Sequence, residues 1–382
     1  MNRRELMLSA SALAAAATLL PRNAFADPNR IDWYTDSDQN ILDFWTNIVK
    51  PKFEAANPGI TLNLVDAGDA AGAQAIAERA LAAMQTNTDP RADYFETWDP
   101  RLPKGAIDKG LWVDMKTAGL SNYSKVNPLA FNSDFSLPYR GSQVLLAYDT
   151  AKLKPENVPK TWADLVAWIK ANPGQFIYNR PDKGGAGGNF VRRAIWEVNG
   201  RDPKKFTIDN AGSFAATALP PAWDLLNELA PYMMDKGAYT SGNTQSIQLL
   251  SQSAVTMIPA WSDQSLQAIS TGVLPETTGL VQLTDLALAG DFSRATVFAN
   301  GVNKAAALKL ADFVLSEEIQ SAVITQLGGF PGVSWDYVSK ELHDKYKDVI
   351  PASIPVFPGG DWEKAINDGW YRAVAPNIDR SK

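Results

Sequence analysis

Apolar positions along the chain follow two rhythms that alternate. In RIDWYTD they fall at every second residue, which predicts a short strand closing in turn residues. Ile41, Phe44, Trp45, Ile48, Val49 and Phe53 then recur every three or four residues, so a helix is predicted that Asn57-Pro58-Gly59 stops. ITLNLVDAG returns to alternation at Leu62 and Leu64, AGAQAIAERALAAMQ to helical spacing, and ADYFETW to a strand. Strand, helix, strand, helix, strand at these lengths predicts a mostly parallel sheet covered by helices.

A longer apolar strand, FSLPYRGSQVLLAYD, follows, and the rhythm then restarts. TWADLVAWIKAN is a predicted helix with Thr161 and Asp164 as its capping box. QFIYNRP is a strand, GNFVRRAIWEVNG a helix closed by Gly200, and AVTMIPAW a strand leading into a helix that opens at Ser262-Asp263. Neither an internal repeat nor a low-complexity linker separates the two series. The pattern therefore describes two α/β lobes joined by strands rather than by a tether. Trp45, Trp168 and Trp196 lie on apolar helical stripes and are assigned to the core.

The first 26 residues break this pattern. Met1 to Arg4 is basic, Leu6 to Leu20 is apolar and alanine-rich, and Ala24-Phe25-Ala26 is a cleavage site for a secretory signal peptide. The apolar run is shorter than the ~20 residues a membrane span needs, so the expected mature protein is exported and free of the membrane. Arg3-Arg4 resembles a twin-arginine signal, from which Asn2 and Glu5 depart.

Composition narrows the chemistry. With 382 residues, 45% hydrophobic and 20% charged, the chain can bury the cores of two domains. It has no cysteine, which excludes disulfides, thiolate metal sites, a cysteine nucleophile and a lipid-modified N-terminal cysteine. The one histidine, His343, sits among charged residues, so no histidine metal cluster and no Ser-His-Asp triad is expected, and no cofactor. Net charge is −6, and removing a leader with three arginines and one glutamate leaves −8. An acidic surface argues against nucleic acid as a partner.

The stretch NRPDKGGAGGNFVRRA, residues 179–194, invites a nucleotide reading that its spacing refuses. A P-loop needs Gly-Lys-Ser/Thr after its first glycine, but Gly188 is followed by Asn189-Phe190 and Lys183 precedes the glycines. What remains is a glycine turn that either cradles an anionic or hydroxylated group on bare backbone amides at a helix N-terminus or is needed for backbone geometry alone. Arg192 and Arg193 would fall in the first turn of that helix, where its dipole disfavours cations.

Several of these segments together resemble the extracellular solute-binding proteins that feed bacterial ABC importers. The signal peptide, the WYT strand, FWTNIVKPKFEAANPGITLNLVDAG, LPYRGSQVLLAYD, TWADLVAW, QLLSQSAVTMIPAWSDQ and NKAAALKLADFVLSEEIQ match in order over most of the mature chain. The similarity is greatest to the polyamine-, thiamine- and iron-binding group, although the paired late tyrosines of the iron binders are missing. This resemblance implies a type II periplasmic-binding fold: two α/β lobes hinged on crossover strands and closing on a small molecule. It places lobe one at residues 27–142 plus 278–328 and lobe two at 143–277 plus 329–382. It also implies a monomer in the periplasm that binds rather than turns over its ligand, with an inner-membrane ABC permease as partner.

In open α/β sheets ligands lie beyond the carboxyl ends of the strands. Those ends carry Trp33, Tyr34, Thr35 and Asp36, then Asp66 and Gly68, then Glu96, Thr97 and Trp98, with Tyr139 and Arg140 on the crossover. The second lobe contributes Asn179, Arg180, Gly187, Gly188 and Asn189, and Trp261, Ser262 and Asp263. Aromatic rings beside carboxylates suit a cationic nitrogen; arginines and glycine amides suit a carboxylate or phosphate. Asp36 and Asp263 are equally placed to cap the following helices, and Arg140 to pair with a carboxylate across the hinge. The combination favours a small cation or zwitterion, polyamine- or thiamine-like, with a sugar ligand or a secreted carboxylate-dependent hydrolase as alternatives.

Overall fold

The computed structural model describes residues 29–346 and 354–380; the expected signal peptide lies outside the described residues. Its strands are β1 Arg30–Thr35, β2 Thr61–Asp66, β3 Tyr94–Glu96, β4 Leu137–Tyr148, β5 Met257–Trp261, β6 Gly279–Val281, β7 Gly290–Val297 and β8 Phe330–Pro331. They hydrogen-bond in the order β2-β1-β3-β7-β4-β5, with β6 and β8 also on β4. Helices cover both faces in each lobe, and no helix of the described residues is long and apolar enough to cross a membrane.

Alternation along β1 explains the layering of the first lobe. Ile31 and Trp33 point into a core with Trp45, Phe53, Tyr94, Val297 and Leu310, while Tyr34 points to the opposite face, where Phe95, Trp98 and Phe298 pack on the helix Ala70–Thr86. The second lobe has a large core around Trp162, Tyr178, Phe190, Trp196, Trp223, Trp362 and Trp370, and a smaller one around Ile247, Val255 and Ile258. Trp45 and Trp196 are fully buried and Trp168 partly so, on the apolar stripes that placed them. The Thr161–Asp164 capping box closes in both directions at 3.1 Å.

Where mostly parallel sheets are expected, the pairing is mixed. β2-β1-β3 is parallel, but β7 and β4 run antiparallel to their neighbours because both pass between the lobes in opposite directions. The first half of β4 pairs with β7 and β8 and its second half with β5 and β6, so one 12-residue strand belongs to both lobes. Val144 donates to the Ala289 carbonyl and Gly290 to that of Pro355, each at 3.0 Å, which brings three chain passages together. A side chain at Gly290 would stand 2.6 Å from the Ser142 carbonyl. Val333, Trp335 and Val338 pack with the first core, beyond the expected boundary at 328, and the chain rejoins the second core at Phe357.

The glycine stretch begins its helix earlier than the sequence pattern suggests. The helix spans Gly185–Val198, so Arg192 and Arg193 sit past its first turn. Its glycines are packing residues. A β-carbon at Gly185 would lie 2.6 Å from the Trp261 ring and one at Gly187 only 1.8 Å from the Asn179 carbonyl. Gly187→Ala should therefore destabilise the fold by roughly 2–3 kcal/mol or more through overpacking. Gly212→Ala, in a helix with open space around it, should be neutral or stabilising by up to about 1 kcal/mol. Urea unfolding of the two variants checks this contrast; equal stabilities would show that the glycines are not packing residues.

Candidate functional site

The ends of β1 and β3 lie level with the start of β4, across β7, and face the start of the helix Ser262–Ser270 on the second lobe. At the centre is Glu96, fully buried at the last residue of β3. One of its oxygens accepts from the Tyr139 hydroxyl at 2.7 Å and the Arg140 guanidinium at 3.1 Å. The other accepts from the hydroxyls of Thr35 and, at 2.7 Å, Ser37. Burial alone would raise the carboxyl's pKa, but Arg140 and the hydroxyls of Thr35, Thr97 and Ser37 outweigh it and hold Glu96 below its ordinary value.

Arg140 carries this charge across the hinge. Its Nη1 lies 3.6 Å from Asp263, whose other oxygen accepts from Ser142 at 2.6 Å. Ser262 meets Ser142 at 3.1 Å and accepts from the Gln143 amide at 3.3 Å. Tyr139 accepts from Arg140 Nε at 2.9 Å and from Trp45 at 3.0 Å, which ties the cluster to the first core. Glu96, Tyr139, Arg140, Ser262 and Asp263, all candidates from the sequence, thus converge in one buried network that spans both lobes. Asp263 makes no capping bond at its helix; it is used in the ion pair instead.

The remaining candidates fall into two sets. Tyr34 turns onto the Ala70–Thr86 helix, with Arg79 5.7 Å over its ring and its hydroxyl donating to the Arg91 carbonyl. Trp98 is buried against Phe95 and donates to the Leu102 carbonyl at 2.9 Å. In the second lobe Asn179 accepts from the Gly187 amide at 2.7 Å and donates to the Gly184 carbonyl at 2.8 Å. Asn243 accepts from the Ala186 amide at 3.2 Å. Two amides that an anion would need are therefore already taken by side chains. Gly188 leaves room for the Pro181 carbonyl, Trp261 packs on Gly185, Asn189 accepts from Arg192 at 2.8 Å, and Arg180 donates to the Asp379 carbonyl at 3.2 Å.

Asp36 stands apart. It is only partly buried, it does not cap the following helix, and among the described residues no side chain hydrogen-bonds or ion-pairs with its carboxylate. Its electrostatic neighbours are Glu96 and Asp66 of the first lobe and Glu363 of the second. Burial, then Glu96, with Glu363 and Asp66 adding, pushes its pKa up to about 7 against a hydrogen bond from its own backbone. Two residues on, Asp38 accepts from Asn243 of the second lobe at 2.8 Å. Ser37, Asp38, Ser142, Asn243 and Glu363 were not legible as site residues. Asn243 follows Thr240, which pairs with Asn179 in a bridge of one residue that leaves no strand pattern. Glu363 lies on a C-terminal helix that no strand announces. Among the described residues there is no group of three or more carboxylate, histidine or cysteine side chains arranged to hold a metal.

Two α/β lobes, crossing strands between them and a charged cleft define a two-lobed binding protein of the type II periplasmic-binding fold. The chain belongs to the bacterial extracellular solute-binding proteins, a family whose profile matches residues 49–347. It is similar to Protein YnjB of Escherichia coli strain K12, 25% identical over 262 residues that cover 63% of this chain and 65% of that protein's length. A solved structure described as the Atu4243-GABA receptor shares the fold at TM-score 0.64 and 18% identity, over 93% of this chain and 100% of that one. A periplasmic thiamin binding protein does so at TM-score 0.61 and 19% identity, over 93% and 99%.

The hinge network makes a prediction about acid. Glu96→Gln leaves Arg140 short of a buried partner and should cost roughly 3–5 kcal/mol at pH 7. Because the folded-state pKa of Glu96 is depressed, its contribution is present above the unfolded value of 4.5 and is lost as pH falls through the still lower folded value. The stability gap between wild type and variant, measured by urea unfolding, should narrow below about pH 4. A gap independent of pH would mean that the ionised carboxylate is not what the network depends on.

Proposed function

We propose that the protein is the periplasmic substrate-binding component of an ABC transporter and that it closes on a small organic cation, or a zwitterion recognised by its cationic end. One observation carries the charge assignment: Asp36 is partly exposed beyond the end of β1, no side chain among the described residues pairs with its carboxylate, and the charges that act on it, Glu96, Glu363 and Asp66, are all negative. A cationic nitrogen would supply the missing countercharge. The anion alternative is weaker, since Asn179 and Asn243 occupy the amides of Gly187 and Ala186. Polyamines and thiamine fit the requirement, as do other compact amines. Ligand binding would shift an open-closed equilibrium, and a permease in the inner membrane would read the closed surface.

The site also sets a pH dependence. Below about pH 7 Asp36 of the empty cleft is a neutral acid, so a cation must displace its proton. Affinity for the cation should rise up to tenfold per pH unit below about 7 and level off above it. Asp36→Asn should remove this slope and weaken binding at pH 8 by roughly 2–5 kcal/mol. Calorimetric titration of both proteins with the best binder from a set of putrescine, spermidine, thiamine and choline measures it. Binding of one of these amines with no pH slope and full affinity in Asp36→Asn would remove Asp36 from recognition.

A further inference from the structure

Asn243 is buried at the first residue of the helix Asn243–Ser251, packed on the second lobe through Ile247 and Leu250. Its carboxamide is fixed from both ends. The oxygen accepts from the Ala186 amide at 3.2 Å, and the Nδ2 donates across the cleft to Asp38 Oδ2 at 2.8 Å. Asp38 belongs to the first lobe, directly before the helix Gln39–Phe44 whose Ile41 and Phe44 enter that core. It occupies the N-cap position but makes no capping bond, so its carboxylate is directed to the other lobe instead of to its own helix. Gly184 completes the arrangement: a β-carbon there would lie 2.6 Å from Asn243 Oδ1, and its φ of +127° is one that other residues rarely adopt. The chain thus keeps residue 184 bare so that Asn243 can reach both the helix end and the opposite lobe.

We propose that Asp38 and Asn243 form a latch that draws the two lobes together even without solute and so biases the open-closed equilibrium toward the closed arrangement. The bond joins side chains separated by 205 residues, one on each side of the cleft, and neither depends on a ligand atom for its position. Opening the lobes breaks a hydrogen bond between the buried Asn243 amide and the exposed Asp38 carboxylate and leaves the amide to find water instead. The latch also occupies Asp38, so Asp36 is left as the adjacent carboxylate free to meet a cation. It holds independently of which solute the protein carries, and it would hold for a ligand of any charge.

The pair can be tested by exchanging its ends. Asn243→Asp sets two carboxylates against each other. The double variant D38N/N243D restores a donor and an acceptor, with the new carboxylate still able to accept from Ala186. Asp38→Ala removes the acceptor without touching the second lobe and decides the matter if Asn243→Asp fails to fold. Because the chain has no cysteine, Lys116→Cys and Lys154→Cys, at exposed positions on the two lobes, accept one dye each. Single-molecule energy transfer is measured on protein unfolded and refolded to strip any carried solute. The expected result is a predominantly closed population in the otherwise unmodified protein, a larger open population in Asn243→Asp and in Asp38→Ala with the closed-to-open ratio reduced roughly tenfold relative to it, and recovery of that ratio in the double variant. A histogram unchanged by either single substitution, or a double variant as open as Asn243→Asp, would overturn the latch.

Discussion

The arrangement of the cleft depends on one buried cation. Arg140 lies at the point where β4 passes from one lobe to the other, and it is held between Glu96 of the first lobe and Asp263 of the second. Burying three charges costs several kcal/mol per ion after relaxation, and only close pairing with every lone pair satisfied offsets it. That condition explains the company these groups keep: Thr35, Ser37 and Tyr139 on Glu96, and Ser142 on Asp263. The ends of β1 and β3 and the start of β4 are fixed relative to one another because each contributes to the same cluster. The second lobe is referenced to them through Asp263.

Once those charges are satisfied internally, the character of the site follows from what is left over. Glu96 and Asp263 are fully used in the hinge, and the glycine helix has its amides taken by Asn179 and Asn243. Asp36 has none of these partners. A carboxylate that burial and three negative charges make hard to ionise is one whose cost a cationic solute, on the proposed reading, would relieve at the moment of binding. Recognition would then be a matter of completing a charge balance that the protein leaves deliberately one positive group short, while the hinge and the Asp38–Asn243 bond set how often the cleft is closed.

Much of this organisation was legible in the sequence because it rests on period and on strand ends. The alternation at Ile31 and Trp33, the capping box at Thr161, and the apolar run of β4 each report a local backbone state that neighbouring residues already specify. Strand ends brought Glu96, Arg140 and Asp263 onto the candidate list for the same reason. Their roles were not legible, since a carboxylate that pairs across a hinge and one that waits for a ligand look alike in one dimension. Gly187 shows the same limit: four glycines in five positions suggested an anion cradle, and only the 1.8 Å approach of Asn179 shows that space is what residue 187 must provide. Asn243, Ser142 and Glu363 come from a helix start just after a one-residue bridge, the middle of a strand and a late helix, where no periodic signal marks a site.

The most direct measurement is thermal unfolding of refolded, solute-free protein against a panel of amines, amino acids, carboxylates, phosphates and sugars at matched ionic strength. A ligand present at 100 times its dissociation constant adds about 2.7 kcal/mol, which is readily seen as a rise in midpoint. If the cleft is one cation short, as proposed, the protein should respond to members of the panel that carry a positive nitrogen and to none that are only anionic or neutral. Stabilisation confined to phosphates, carboxylates or sugars would contradict the assignment and move recognition away from Asp36.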